Sequence, residues 1–310
     1  MTAESPIPHF SGGSSHAARF AQLNIHSHMR LQTYVSLCLP SVSQQMAERY
    51  GLFDLRRQGT ALIVYSLEID NRATPLAYGR PLEDEYTARL CRVREVAGGG
   101  RTAPERLVID SRFDLFGYAR SGGSEEMGYD DGSGARVQAG RARMLQVFTR
   151  PLAPAGERQV SAAPGAFATL QEHAWDEPWP TVETLGAAPA GFTPVLHELS
   201  PRLGVWGAGN TDLNQHVTLT EYIREFDSHC SLQLHLAGLD VARHHVDRCH
   251  MIFRKPFFPG NPYTVVGQLY VQDQQTVLTV GIHAAQPDGA PMGSPAVYAR
   301  LAGSVGDHLG

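Results

Sequence analysis

Lysine is almost absent from this chain of 310 residues: Lys255 is the only one, and arginine supplies the other basic residues. The formal net charge of -5 argues against a dedicated nucleic-acid-binding protein, which usually carries a basic balance. No run of about eighteen apolar residues occurs, so we expect no membrane span. The first sixteen residues lack a basic start followed by an apolar stretch, so we expect no secretory signal there.

Cysteine is also scarce. The four cysteines are Cys38, Cys91, Cys230 and Cys249, and none of them forms a CxxC pair. Four are too few for a disulfide scaffold in a chain of this length and fit a reducing compartment, so we expect a cytoplasmic protein. A metal site at the cluster Asn24, His26 and His28 is not expected, because no third histidine or carboxylate follows these residues at ligand spacing.

The composition is that of a globular protein, with 42% hydrophobic and 18% charged residues. A length near 300 suits one large domain or two ordinary ones.

The first half begins with a helical pattern over residues 30 to 50. Apolar residues recur there every three or four positions, at Val35, Leu39, Val42, Met46 and Tyr50. Pro40 should kink this helix or start a second segment, and Gly51 stands where a helix stop belongs. Apolar, β-branched runs then predict strands at 61–69, 85–93, 106–116 and 143–152. The glycine-rich, charged stretch 119–140 predicts a surface loop.

The second half repeats this plan. A helical stripe is formed by Leu219, Tyr222, Ile223, Phe226 and Cys230. Thr218 and Glu221 have the spacing of a capping box at its start. Strands are predicted at 249–254, 263–271, 276–284 and 296–302. His244 and His245 indicate a polar loop.

A layout shared by the two halves supports a duplication. Each half has a long helix followed by Gly-Leu, then a strand, then a proline four residues before a glycine: Pro75 with Gly79, and Pro256 with Gly260. A shift of 188 residues places His28 on His216 and Tyr34 on Tyr222. The alternative is that any helix followed by antiparallel strands has this layout; we favour the duplication.

The stretch 210–223 contains the strongest candidate for chemistry. Asp212, Asn214 and His216 alternate, and alternate residues of an extended segment point the same way. The helix predicted after Val217 would bring unpaired N–H groups to the same place, where they favour developing negative charge. A histidine can take a proton from water near neutral pH, a carboxylate can orient the imidazole, and an amide can hold the water or a carbonyl.

Each of these residues has an ordinary structural explanation when taken singly. An Asp or Asn before a helix is often a cap or turn residue, and histidine is abundant in this chain. The first half carries its own cluster, Asn24, His26 and His28. No acid stands at the position of Asp212 there, so we interpret it as a degenerate copy.

The string D-x-N-x-H-V, followed by a helix that carries a tyrosine, resembles the active-site segment of plant and bacterial acyl-ACP thioesterases. The resemblance extends over most of residues 20–118 and 195–303. It implies an α+β fold made of two hotdog domains in tandem, each an antiparallel sheet wrapped on a central helix. In that family the Asp, Asn and His of the motif carry hydrolysis, which implies Asp212, Asn214 and His216 here.

The match to this family is incomplete. By layout, the glutamate that the plant enzymes place after the helix falls near Pro256, and the closest carboxylate is Asp247. A second double-hotdog family, the leinamycin-type acyltransferase/decarboxylases, uses a tyrosine in a region like that of Tyr65; we favour an ordinary strand aromatic there.

These observations predict a domain layout: a polar tail over 1–19, an N-terminal, substrate-shaping hotdog over 20–152, a linker over 153–194, a catalytic C-terminal hotdog over 195–303, and a tail over 304–310. Trp175 and Trp179 indicate that the linker packs against something.

The first functional hypothesis is hydrolysis of an acyl-ACP or acyl-CoA thioester, with no metal and no other cofactor. The alternatives are acyl transfer, with or without decarboxylation, on a carrier protein, and a non-catalytic acyl-binding module. The candidates for substrate binding are Tyr222, Thr218, Arg254, Tyr65 and His28. An acyl carrier protein is acidic, so Arg254 and Lys255 are the first candidates to contact one. The sequence is compatible with a homodimer and does not decide the oligomeric state.

Overall fold

A computed structural model describes residues 7–17, 19–24, 27–94, 105–120, 134–196, 202–212 and 215–306. The first half is built on helix α1, Leu31–Tyr50, with the short helix α2, Leu52–Arg57, behind it. Its strands are β1 (Phe10–Ala17), β2 (Ala61–Asn71), β3 (Pro81–Val93), β4 (Arg106–Tyr118) and β5 (Arg136–Thr149).

The connecting segment contains β6 (Glu172–Ala174), helix α3 (Val182–Gly186) and β7 (Thr193–Pro194). The second half is built on helix α4, Leu219–Leu236. Its strands are β8 (Gly204–Val205), β9 (His244–Phe253), β10 (Pro262–Gln272), β11 (Gln275–Ala285) and β12 (Pro291–Val305).

The twelve strands of the described residues belong to one sheet, and its main path has the order β1-β3-β4-β5-β2-β9-β12-β11-β10-β7. The order β3-β4-β5-β2 in the first half is mirrored by β10-β11-β12-β9 in the second, so each half has the same strand plan around its own helix. The two halves join where β2 pairs antiparallel with β9, from Ser66 opposite Ile252 to Asp70 opposite Arg248. We call this junction the seam.

The core lies between the two long helices and the inner face of the sheet. Buried residues of α1, such as Tyr34, Cys38 and Met46, share one cluster with Phe226 and Cys230 of α4. A smaller cluster lies on the outer face of the sheet, away from both helices. There Val93, Val108 and Val147 are covered by Trp175 and Trp179 of the connecting segment, so the predicted linker is packed, as its tryptophans indicated.

Several sequence-based expectations are confirmed. The two long helices, predicted at about 30–50 and 218–237, lie within one residue of these bounds at each end. Gly51 ends α1 in the left-handed conformation, with φ 65°. Gly79 and Gly260, the glycines of the repeated proline-glycine spacing, both have positive φ, 80° and 83°. A side chain in this conformation costs free energy that glycine avoids.

Other expectations are wrong. The predicted polar tail contains β1, which pairs along its whole length with β3. Helix α1 continues through Pro40, so no second segment starts there. Strand β5 begins at Arg136, inside the predicted loop, and residues 121–133 of that loop lie outside the described part. Strand β12 runs to Val305, past the predicted domain end.

The described residues contain no helix that is both long and apolar enough to span a bilayer.

Candidate active site

The segment that carries the predicted motif folds back on itself in front of α4. Thr211 and Val217 form an antiparallel bridge. Between them, the Asp212 N–H donates to the His216 carbonyl at 3.0 Å, and the Gln215 N–H donates to the Asp212 carbonyl at 2.9 Å. Gln215 closes the loop in the left-handed conformation, with φ 62°. The expectation of an extended segment is therefore wrong: a tight hydrogen-bonded loop holds Asp212 and His216.

The two described motif residues differ in exposure. Asp212 is exposed, and His216 is half-buried, with its ring edge-on to Phe258 at a centroid distance of 5.0 Å. Leu213 and the third motif residue, Asn214, lie outside the described residues, so its predicted role stays a prediction.

The loop leads directly into α4. Val217 N–H donates to the Phe257 carbonyl, and Thr218 N–H donates to the Asn210 carbonyl at 2.9 Å. These bonds fix the direction of the helix start. The first N–H groups of any helix lack intrahelical partners, so this end of α4 carries partial positive charge next to the loop.

The predicted capping box is absent. Thr218 occupies the N-cap position, but its side chain makes no capping hydrogen bond and instead contacts the hydroxyl of Thr220 at 2.9 Å. The Glu221 carboxylate accepts from the Asn210 amide at 2.7 Å and pairs with Arg224 at 2.6 Å. Because Asn210 precedes the loop, this carboxylate connects the helix to the segment leading into the loop.

An aromatic cluster supports the loop from behind. Tyr222, buried in the first turns of α4, accepts a hydrogen bond from the Phe257 N–H at 3.2 Å. Burial and the nearby Asp212 raise the Tyr222 pKa to about 12, so the phenol keeps its proton at neutral pH. Its ring meets Trp206 edge-on at 5.6 Å, and Trp206 stacks on Tyr263 at 4.1 Å.

The first half repeats the loop with an offset of 188 residues. Leu23 and Met29 form the equivalent bridge, Asn24 N–H donates to the His28 carbonyl at 2.8 Å, and Ser27 has φ 61°. Helix α1 begins at Leu31, again 188 residues before the start of α4. His26 of the predicted cluster lies outside the described residues.

Comparison with solved structures agrees with this architecture. An acyl-ACP thioesterase from Bacteroides thetaiotaomicron matches with a TM-score of 0.59 at 12% identity, covering 95% of this chain and 98% of that one. A protein designated an oleoyl thioesterase from Lactobacillus plantarum matches with a TM-score of 0.64 at 11% identity, covering 98% of both chains. The 12:0-ACP thioesterase from Umbellularia californica matches with a TM-score of 0.55 at 12% identity, covering 94% and 93%. The chain is a double hotdog. No protein-family model matches it, and no curated protein sequence does.

The two loops of the double hotdog differ in what surrounds the histidine. His28 is fully buried, and its ring meets that of His245 edge-on at 4.9 Å. The Asn24 side chain accepts from the His28 N–H at 2.9 Å, so the amide is used within the loop. His245 belongs to β9 and is buried, which corrects the expectation of a polar loop at 244–245. The C-terminal loop therefore keeps an accessible imidazole and an exposed carboxylate, whereas the N-terminal imidazole is sealed.

Two further candidates lie outside this loop. Tyr65 sits on the outer face of the double hotdog, stacked on Trp179 at 4.6 Å, with its hydroxyl donating to the Pro180 carbonyl. Arg254 is exposed just after β9 and donates to the Pro295 carbonyl at 3.3 Å. The structure thus brings Asp212, His216, Thr218 and Tyr222 together, and it places Tyr65 on the other side of the sheet.

The position expected for a glutamate is apolar. Pro256 is exposed, and the two residues after it, Phe257 and Phe258, pack against the loop and the helix start. The sequence analysis did not predict that Phe257, Phe258 and Trp206 pack around the loop and the helix start. The sequence shows these residues as a Pro-Phe-Phe string and as a tryptophan in a glycine-rich stretch, but neither feature indicates which residues it contacts.

Proposed function

We propose that the chain hydrolyses an acyl thioester, of an acyl carrier protein or of coenzyme A, at the loop in front of α4. The observation that carries the proposal is the hydrogen-bonded loop that holds the Asp212 carboxylate and the His216 imidazole at the N-terminus of α4. The likeness to three thioesterases of the same fold supports it.

The groups in this loop suit a metal-independent hydrolysis. His216 acts as the general base: it takes a proton from water as the water oxygen attacks the thioester carbonyl. The oxyanion that forms is stabilised by the N–H groups at the start of α4, together with the Asn214 amide. When the carbon–sulfur bond breaks, the imidazolium returns the proton to the leaving thiolate. Asp212 stabilises the charged imidazole throughout.

The alternative of an acyltransferase that uses Tyr65 has less support. The Tyr65 hydroxyl is engaged with the Pro180 carbonyl beneath the connecting segment, and its ring is stacked on Trp179. A nucleophile needs a hydroxyl that faces substrate, whereas this hydroxyl is hydrogen-bonded and its half-buried ring is stacked under the connecting segment.

Thiol release from a series of acyl-pantetheine and acyl-carrier substrates tests the proposal. We expect His216→Ala to lower single-turnover hydrolysis by about two to four orders of magnitude, the usual contribution of a positioned base. His235→Ala is the matched control, because His235 is exposed in the last turn of the same helix. Equal rates for His216→Ala and the wild type, with folding verified by circular dichroism, would refute the assignment.

A further inference from the structure

A cavity lies on the opposite side of the sheet from the proposed active site. Its volume is about 320 Å³, and it is a cleft between the outer face of the seam and the connecting segment. That volume is within the range of pockets that hold small molecules. The residues that matter to the argument are Glu68, Arg143, Trp175, Trp179, His250 and Arg300.

The floor of the cavity is a row of side chains from four adjacent strands. Arg143 lies opposite Glu68, Glu68 lies opposite His250 across the seam, and His250 lies opposite Arg300. Residues in register on one face of a sheet are near neighbours, so the row spans both hotdogs. Ser66 adds a buried hydroxyl, which contacts His250 Nε2 at 2.9 Å.

The charges along this row are unevenly compensated. Arg143 pairs with Asp110 at 2.8 Å and with Glu177, so its charge is offset. Arg300 donates instead to two neutral groups, the carbonyls of Leu185 at 3.1 Å and Ala187 at 2.6 Å. Within the described part of the chain it makes no ion pair.

The two titratable groups between these arginines, His250 and Glu68, lie 3.6 Å apart, and in the described part of the chain neither forms an ion pair with Arg300. Burial, and then the field of Arg143, lower the His250 pKa to about 4, so the imidazole is neutral at pH 7. Burial raises the pKa of Glu68. The Arg300 end of the row is therefore the place where an anion would be favoured.

Two residues that line the cavity carry hydrogen-bond donors without an acceptor. The indole nitrogens of Trp175 and Trp179 are both buried, and among the described residues neither has a partner; the same holds for Trp206, which lies outside the cavity. Buried indole N–H groups usually find one. Around them the wall is mostly apolar, with Leu145, Pro178 and Leu185. Its carboxylate, Glu177, is paired with Arg112 and Arg143.

We propose that this cavity binds a small organic carboxylate, with the carboxylate on Arg300 and the indole N–H groups and a short apolar body against the tryptophan and proline wall. The ligand supplies the acceptors that the two indoles lack and the negative charge that Arg300 lacks, and bidentate pairing suits a guanidinium. The inference goes beyond the proposed hydrolysis and does not depend on it, because the cavity contains none of the residues of the Asp212 loop.

The three tryptophans of the chain permit a direct test. Trp175 and Trp179 line the cavity, while Trp206 packs against Tyr222 behind the proposed active site. In the full-length protein labelled with ¹⁵N, each indole N–H gives one signal, assigned with single Trp→Phe variants. Titration with hexanoate should shift the Trp175 and Trp179 signals and leave that of Trp206 in place. Hexanamide, of the same shape without the charge, should bind at least tenfold more weakly.

Two arginine variants locate the charge partner. Arg300→Gln should weaken hexanoate binding tenfold or more, whereas Arg248→Gln, an exposed arginine on the same face of β9, should leave it unchanged. His216→Ala should also leave it unchanged. The proposal is overturned if only the Trp206 signal moves, if hexanamide binds as well as hexanoate to the wild type, or if a folded Arg300→Gln variant retains full affinity. The first of these results would place the acid in the active site and leave the proposed hydrolysis intact.

Discussion

Ser27 and Gln215, 188 residues apart, hold the same left-handed backbone conformation, with φ values of 61° and 62°. Each stands one residue before the histidine of its loop and closes a turn that begins at Asn24 or Asp212. A non-glycine residue in this conformation costs about 1–2 kcal/mol. Both halves have this unfavourable conformation at the equivalent position of the loop, which supports an origin of the two loops by duplication.

This shared strain predicts a matched pair of variants. Gln215→Val and Ser27→Val should each lower the free energy of unfolding by about 1–2 kcal/mol, because a β-branched side chain fits this conformation poorly. Only Gln215→Val should also lower thiol release, since only the C-terminal loop carries the proposed base. Gln215→Gly should retain both stability and activity. Urea unfolding and thiol release measure the two effects, and an equal loss of activity in both valine variants would contradict the assignment of one working loop.

The exposed pair Arg254 and Lys255 predicts that the reaction with a carrier-protein substrate is sensitive to salt. If the substrate is carried by an acidic carrier protein, Arg254→Glu with Lys255→Glu should lower kcat/KM about tenfold at low salt, because basic side chains steer an acidic partner. Hydrolysis of the corresponding acyl-pantetheine should be unchanged. Arg150→Glu, an exposed position after β5, serves as the control. A carrier reaction that ignores both salt and these substitutions would favour coenzyme A.

On the outer face of the sheet, a buried carboxylate and its arginine partners should make a large contribution to stability. The Asp110 carboxylate is fully buried and is bound by Arg89, Arg112 and Arg143. Burial alone would raise its pKa, but the arginines, led by Arg143, outweigh burial and lower it. Asp110→Asn should destabilise the protein by about 3 kcal/mol at pH 7, the lower end for a broken buried pair, because the mostly buried Arg143 loses one of its two carboxylate partners while Arg89 and Arg112 are partly exposed to water.

The sign of its pH dependence follows from the lowered pKa. The carboxylate contributes stability above its unfolded pKa, about 3.9, and this is lost as the pH falls toward the folded value. The gap in unfolding free energy between the wild type and Asp110→Asn should therefore narrow below about pH 4. Asp114→Asn, at a half-exposed neighbouring position paired with Arg141, should cost far less. Equal losses of unfolding free energy in the two variants would show that the buried network stabilises the protein no more than an exposed ion pair does.

The helices could be predicted because each has a continuous apolar stripe and a glycine at its end. The duplication was visible for a related reason: positions such as Tyr34 and Tyr222 recur at a constant offset and are both buried. These signals are local, and each depends on residues within a few turns of one another.

The parts that escaped prediction depend on distant partners. Strand β1 is rich in serine and glycine, and it is a strand because β3 offers an unpaired edge from Pro81 to Ala88. The capping box failed because Asn210, outside the four-residue pattern, takes the Glu221 carboxylate. The burial of His245 follows from its contact with His28, 217 positions away in the sequence. No pattern in a single sequence indicates such pairings.

The two hotdogs meet at a histidine whose ionisation should control stability in acid. His250 faces Glu68 across the seam, and burial, followed by Arg143, lowers its pKa from 6.5 to about 4. Between these pH values the unfolded chain binds a proton that the folded protein does not. Stability should therefore fall as the pH drops from 6.5 toward 4, with about 3 kcal/mol lost through His250 over the whole interval. His229, whose pKa burial also lowers to about 4, acts in the same direction.

Replacing His250 with glutamine removes the titrating group while leaving a side chain that can still bond Ser66. The free energy of unfolding of His250→Gln should depend less steeply on pH between 4 and 6.5 than that of the wild type, while the two slopes agree above pH 7. His235→Gln is the control, because its side chain is exposed and its replacement should leave the slope as it is. Urea unfolding at half-unit steps of pH gives the comparison. Parallel curves for the wild type and His250→Gln across this window would show that the imidazole at the seam is protonated as readily in the folded protein as in water.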